Sequence, residues 1–184
     1  LRGVFFDMMS MKNLVIIIPT YNEALVIEKT IHAVFKELAA INMHTFVLVF
    51  DSCSTDSTQA LIAELQKNYP NLHLQIEAQK TGLGSAYLQA MRFALTELNA
   101  DIVVEFDADL SHQPHYLPAI IAQMNDHDVV IASRYIKGGS IPNNWGWHRK
   151  FLSVLGNWVA RLVLTRQYKD FTSGFRATRR QVLH

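Results

Sequence analysis

Residues 103–114 read VVEFDADLSHQP: an apolar run, two carboxylates spaced i, i+2 at Asp107 and Asp109, then a turn reaching Pro114. Side chains alternate along a strand, so a strand running through this stretch aims both carboxylates the same way. Two close carboxylates repel, and without a cation one of them takes up a proton. A hard divalent ion, Mg2+ or Mn2+, removes the conflict, because it prefers oxygen ligands, keeps room for water and bridges to phosphate. Two solvated acids in a turn would give the same short pattern. Its place at a strand end, beside other polar loops, favours a metal that holds a diphosphate.

The same pattern of apolar run followed by polar loop recurs along the chain. Residues 14–19 (LVIIIP) read as a buried strand, followed by TYNE, in which Thr20 and Glu23 have capping-box spacing. Ile27, Ile31, Val34, Phe35 and Leu38 then mark one helical face. A second strand at 46–50 (FVLVF) leads into DSCSTDS and a helix at 57–67, with Leu61 and Leu65 inward. Leu72, Leu74 and Ile76 alternate as a third strand, the loop TGLGS follows at 81–85, and Tyr87, Met91, Ala94, Leu95 and Leu98 form another helical stripe. The fourth strand is 102–106, Pro114 opens a helix to about 124, 129–132 (VVIA) is a fifth strand, and 151–164 is a helix. Strands alternating with helices predict an α/β fold, a mostly parallel sheet with helices on both faces. Ligands of such sheets bind beyond the carboxyl ends of the strands, where TYNE, DSCSTDS, TGLGS, DADLSH and SRY all fall.

Composition bounds the function. A chain of 184 residues, 49% hydrophobic and 18% charged, is globular and long enough for one domain with a real core. A lone cysteine, Cys53, excludes an internal disulfide and a zinc–cysteine cluster, and fits a reducing, cytoplasmic setting. No apolar run approaches the ~20 residues of a membrane span. Met11 reads as a natural start, so residues 1–10 are expected to lie upstream of a single domain at 11–184. The net charge of +1 hides an asymmetry: residues 1–133 hold 7 Lys/Arg against 15 Asp/Glu, and residues 134–184 hold 10 against Asp170 alone. The basic third suits an anionic partner, or a solvated surface that balances the acidic half.

Taken together, IPTYNE (18–23), TGLGSAY (81–87), DADLSHQP (107–114), SRY (133–135), Gly138-Gly139, the set Trp145, Arg149, Ser153 and Asn157, and DFTSGFRATRR (170–180) resemble the polyprenol-phosphate (dolichol-phosphate) mannosyltransferases, inverting enzymes of the GT-A fold. The resemblance covers about residues 12–184. It implies that Pro19, Tyr21 and Glu23 line a nucleoside pocket, that Asp51 contacts the base, and that the backbone at Gly82 approaches the nucleotide. It implies that Asp107 and Asp109 bind Mg2+ or Mn2+, with Ser111 where a third ligand is sometimes found. Arg134, Arg149 and Arg176 would hold anionic groups of donor or acceptor. The implied partners are a nucleotide sugar, GDP-mannose first, and a polyprenyl phosphate lipid; no nucleic acid is expected.

Two departures matter. The family's base loop reads like DDGSxDGT, whereas here Ser52 replaces the second acid, and Cys53 and Ser57 replace the glycines. The base is therefore less fixed than the fold, and UDP-glucose, another nucleotide sugar or an inactive nucleotide-binding remnant stand as alternatives. Family members also continue beyond the TSGFRATRR region, so the domain is expected to lack its C-terminal end. A phosphate nucleophile is already ionised near neutral pH and needs no strong general base, so no catalytic His or Glu is expected. His115 reads as a helix-surface residue, His112 as at most a supporting or acceptor contact, and Cys53 as a small packed residue. GLGSA lacks the third glycine of a dinucleotide fingerprint. The segment 151–164 reads first as a core or subunit-contact helix, with a membrane-interface helix as the alternative.

Overall fold

A computed structural model describes residues 11–136, 139, 147–163, 165 and 169–183, with only the backbone for 149–151. The expectation for residues 1–10 lies outside them, as do Gly138 and Trp145. The elements in chain order are β1 (Asn13–Thr20), α1 (Ile27–Leu38), β2 (His44–Asp51), α2 (Thr58–Leu65), β3 (Leu72–Ile76) and α3 (Leu83–Thr96), followed by β4 (Ile102–Glu105), α4 (Leu117–Gln123), β5 (Val129–Ile131), α5 (Trp147–Val163) and β6 (Arg176–Arg179).

The strands form a six-stranded sheet in the order β3-β2-β1-β4-β6-β5. β1 is central because it can afford no exposed face: Leu14 through Ile18 are all fully buried. Its alternate residues feed two cores. Leu14, Ile16 and Ile18 pack with Ile27, Ile31, Val34 and Leu38 of α1, with Ile62 of α2 and with Leu117 of α4. Val15 and Ile17 pack with Ala86, Ala90, Ala94 and Leu95 of α3 on the other face. Helices thus cover both faces, as the continuous apolar strands require.

β1 pairs in parallel with β2 and β4, and β2 with β3. β6 was not foreseen. It lies antiparallel between β4 and β5, separating the expected fifth strand from the fourth. Its sequence, RATR, holds no apolar run, and its place is set by neighbours that bury Ala177 and Thr178. The capping box is also absent. Thr20 ends β1 and donates its hydroxyl to Asp51 Oδ2 at 2.8 Å, while α1 starts later, at Ile27. α5, expected as a core or subunit-contact helix with a membrane-interface helix as the alternative, leaves Leu152, Trp158, Leu162 and Val163 exposed, and Asn157 is its buried anchor, bonding Lys169 O at 2.6 Å and Phe171 N at 2.9 Å.

This architecture gathers the loops after β1, β2, β3 and β4 at one edge of the sheet. Gly82 shapes the third of them. It has φ +100° and ψ 160° at the start of α3, a region open almost only to glycine. Gly82→Ala is expected to cost about 1–3 kcal/mol, read as a lower urea midpoint, though no neighbour crowds the site.

Candidate active site

β4 stops at Glu105, earlier than expected, yet the alternation carries on. Phe106 and Ala108 are buried in the core, while Asp107 and Asp109 both line a cleft of about 530 Å³ with Ser111, His112, Arg134 and Thr172. Leu110 then takes a left-handed φ of +57°, and Asp109 Oδ1 accepts the Ser111 amide at 2.9 Å, which turns the chain sharply. A left-handed leucine costs about 1–2 kcal/mol. Such a cost, borne beside the two acids, is the kind that collects at functional sites.

A third carboxylate feels this pair. Glu23, in the loop after β1, has its pKa raised by burial and then by Asp109, Asp56 and Asp107. Among the described residues no group of three or more His, Cys, Asp or Glu could hold a metal alone. The donor set instead suits Mg2+ or Mn2+ taken by one or two carboxylates, with the remaining oxygens from water and a diphosphate. Because the folded pKa of Glu23 lies above its usual value of 4.5, its proton favours the folded state. That contribution is whole below the usual value and is lost as pH rises through the folded one. Glu23→Gln is therefore expected to raise the urea midpoint of the metal-free protein at about pH 7, with the gain fading in acid.

The expected nucleoside residues sit at the adjoining loops. Pro19 is near the end of β1, Tyr21 is exposed, and Lys80 Nζ lies 3.0 Å from the Tyr21 ring centroid. Asp51, expected to contact the base, is the last residue of β2. Its side chain is fully buried and accepts from Thr20 Oγ1, Ser54 N, Ser54 Oγ and Gln59 Nε2, so it ties the β2 loop to β1. Cys53 has φ +59° and donates its thiol to Glu77 O at 3.0 Å, a packed residue in a conformation that suits glycine.

Two of the three arginines, Arg134 and Arg176, are already paired. Arg134 makes a two-pronged bond to the buried Asp170, Nε to Oδ2 at 2.9 Å and Nη2 to Oδ1 at 2.8 Å, and reaches Thr172 Oγ1 at 2.6 Å. It still lines the cleft. Arg176 is bound in the same manner to the buried Glu105, with Nη2 to Oε1 at 2.8 Å, and does not line the cleft. Its first task is to neutralise that carboxylate. Arg149 lies on α5, and its side chain is outside the described residues.

Sequence reasoning missed several residues of the site. Tyr87, read as core stripe, places its hydroxyl 3.5 Å from Asp107 Oδ1, and its pKa is pushed up by burial and by Asp107. Glu105 and Asp170 are the buried counter-charges of the arginines, invisible until β6 and the segment before it are placed. His112 carries more contacts with Asp107 than foreseen, whereas His115 is an exposed residue against Tyr116, as expected.

The model of the family described as "Glycosyl transferase family 2" matches residues 15–184. The chain belongs to glycosyl transferase family 2. As a family 2 member it is 36% identical over 167 residues to the undecaprenyl-phosphate mannosyltransferase of Micrococcus luteus, covering 91% of this chain and 66% of that protein. It is 37% identical over 174 residues to the polyprenol monophosphomannose synthase of Mycolicibacterium smegmatis, covering 91% and 62%. The chain thus spans under two thirds of these relatives. Among solved structures, a mannosyltransferase from Pyrobaculum calidifontis in complex with GDP-Man and Mn2+ matches with a TM-score of 0.62 and 25% identity, over 92% of this chain and 45% of that one. Glucosyl-3-phosphoglycerate synthase from Mycobacterium tuberculosis, in complex with UDP, shares the fold at a TM-score of 0.63 and 18% identity, over 93% and 58%. The family 2 domain has the GT-A architecture expected from the sequence.

Proposed function

We propose that the protein is an inverting glycosyltransferase that moves mannose from GDP-mannose to a polyprenyl phosphate. The observation that carries this reading is the outward pair Asp107 and Asp109 in a cleft whose walls also include Arg134 and an apolar set with Tyr116, Ile120, Val130 and Ile136. The resemblance to polyprenyl-phosphate mannosyltransferases supports the choice of sugar and acceptor.

Asp107 and Asp109, with the Ser111 hydroxyl beside them, would hold Mg2+ or Mn2+; when bound, the ion orients the diphosphate and offsets its growing charge. An acceptor phosphate oxygen forms a bond to the sugar C1 while the bond from C1 to the diphosphate breaks, and GDP leaves with the electron pair. Attack from the opposite face inverts the anomeric centre. The nucleophile arrives ionised, so the site needs position and charge complementarity more than a base. Arg134, fixed by Asp170, holds its guanidinium on the cleft wall without swinging freely.

The lipid acceptor implies membrane contact. Among the described residues no helix is long and apolar enough to cross a membrane. The exposed apolar residues of α5, with Lys150 and Arg161 on the same helix, support a peripheral position on the cytoplasmic face. Flotation with anionic liposomes is expected to carry the protein upward, and Trp158→Glu is expected to abolish this.

Ser52 and the buried Asp51 leave the base open to one specific rival, a uridine donor. Calorimetry with GDP and UDP, each with Mn2+ and with EDTA, tests the reading. Metal-dependent binding that favours GDP is expected; a preference for UDP moves the donor to a glucose-type sugar, and binding of neither contradicts the assignment.

A further inference from the structure

We propose that His112 is a positioning residue for Asp107, an imidazole kept neutral so that it orients the carboxylate without cancelling its charge. The inference rests on the reading of Asp107 as a metal-holding acid. Both ring nitrogens meet the same residue: Nδ1 accepts the Asp107 backbone N–H at 2.9 Å, and Nε2 lies 3.2 Å from Asp107 Oδ2. A nitrogen that accepts from an amide carries no proton, so the proton sits on Nε2 and points at the carboxylate.

The ring is held in that pose. It stacks on Phe175 at 5.1 Å and 21°, and meets Phe106 edge-on at 5.5 Å and 75°. Gly174 lies alongside: a Cβ there would stand 3.4 Å from His112 Cε1 and 3.7 Å from Asp107 Oδ1, ordinary contact distances. The left-handed turn at Leu110 helps bring residue 112 back beneath residue 107.

The chemistry explains the choice of partner. An arginine or lysine at this place would form an ion pair with Asp107 and compete with a divalent cation. A neutral N–H fixes one oxygen and leaves the full negative charge facing the cleft. Hydrogen-bond partners of metal ligands typically set affinity by about 10–100-fold.

The test is Mn2+ binding followed by EPR, with GDP present, for the wild-type protein and for His112→Phe, which keeps the ring stack and removes both nitrogens. Expected are a roughly 10–100-fold weaker Mn2+ affinity for the variant, unchanged GDP binding in EDTA, and, in pulsed EPR of the wild-type complex, no directly coordinated 14N. Equal Mn2+ affinity in the variant, or a directly bound nitrogen in the wild type, overturns the proposal. Should His112→Phe fail to fold, His112→Leu, which also removes both nitrogens, replaces it with the same expected loss. A wild-type protein that binds no Mn2+ with GDP would instead overturn the metal reading itself.

Discussion

Asp109→Ala is expected to lower mannosyl transfer by roughly a thousandfold while the far-ultraviolet circular dichroism and melting curve stay close to those of the wild type. Asp109 is exposed, and among the described residues its side chain has one internal hydrogen bond, from the Ser111 amide, so the fold loses little. What is lost is one of the two carboxylates that would hold the ion. Charge stabilisation by a metal is worth several kcal/mol, and each ~1.4 kcal/mol is a factor of ten in rate. Asp107→Ala is expected to match it in rate but to cost some stability as well, since Asp107 also receives His112 and Tyr87. Near-normal transfer by Asp109→Ala would sink the assignment.

Asp170→Ala is expected to be the most damaging single change to stability in the site. Asp170 is buried, yet its pKa is lowered: burial pushes it up, and the Arg134 hydrogen bonds outweigh burial. It receives the Arg134 backbone and guanidinium and the Thr172 amide and hydroxyl, so one carboxylate joins the loop after β5 to the segment before β6. Removing one partner of a buried pair costs about 3–5 kcal/mol, because the other charge is left uncompensated. At about 2–4 °C per kcal/mol for a domain of this size, the melting point falls by roughly 6–20 °C. A folded pKa below the usual 3.8 means this stabilisation is present above that value and is lost as pH falls through the folded one. The wild type is thus expected to lose its advantage over Asp170→Ala in acid. Urea titrations of both proteins from neutral pH down to about pH 3 check the sign.

The sequence was most legible where physics is local. The apolar run of β1 announces a strand buried on both faces, and the stripe of α1 announces its core face, both as found. The alternation through 106–109 put Asp107 and Asp109 on one side even though the strand stops before them. Long-range pairing was hidden. β6 offers four residues, two of them arginine, and becomes a strand only because β4 and β5 present free edges to it. For the same reason the partner of Arg176 went unread: nothing along the chain shows Glu105 facing it from 71 positions away. The capping-box spacing of Thr20 and Glu23 misled because Asp51, also distant in sequence, claims the Thr20 hydroxyl. α5 was legible only as an amphipathic helix, since a wide apolar face alone does not say whether protein or lipid covers it.

The most direct test of the account is transfer of labelled mannose from GDP-mannose into an organic-extractable product, with undecaprenyl phosphate as acceptor and Mn2+ or EDTA in parallel. The account predicts a mild-acid-labile lipid product that needs the metal, needs the lipid phosphate and disappears with Asp109→Ala. Product formed equally well in EDTA, or by Asp109→Ala, would contradict it.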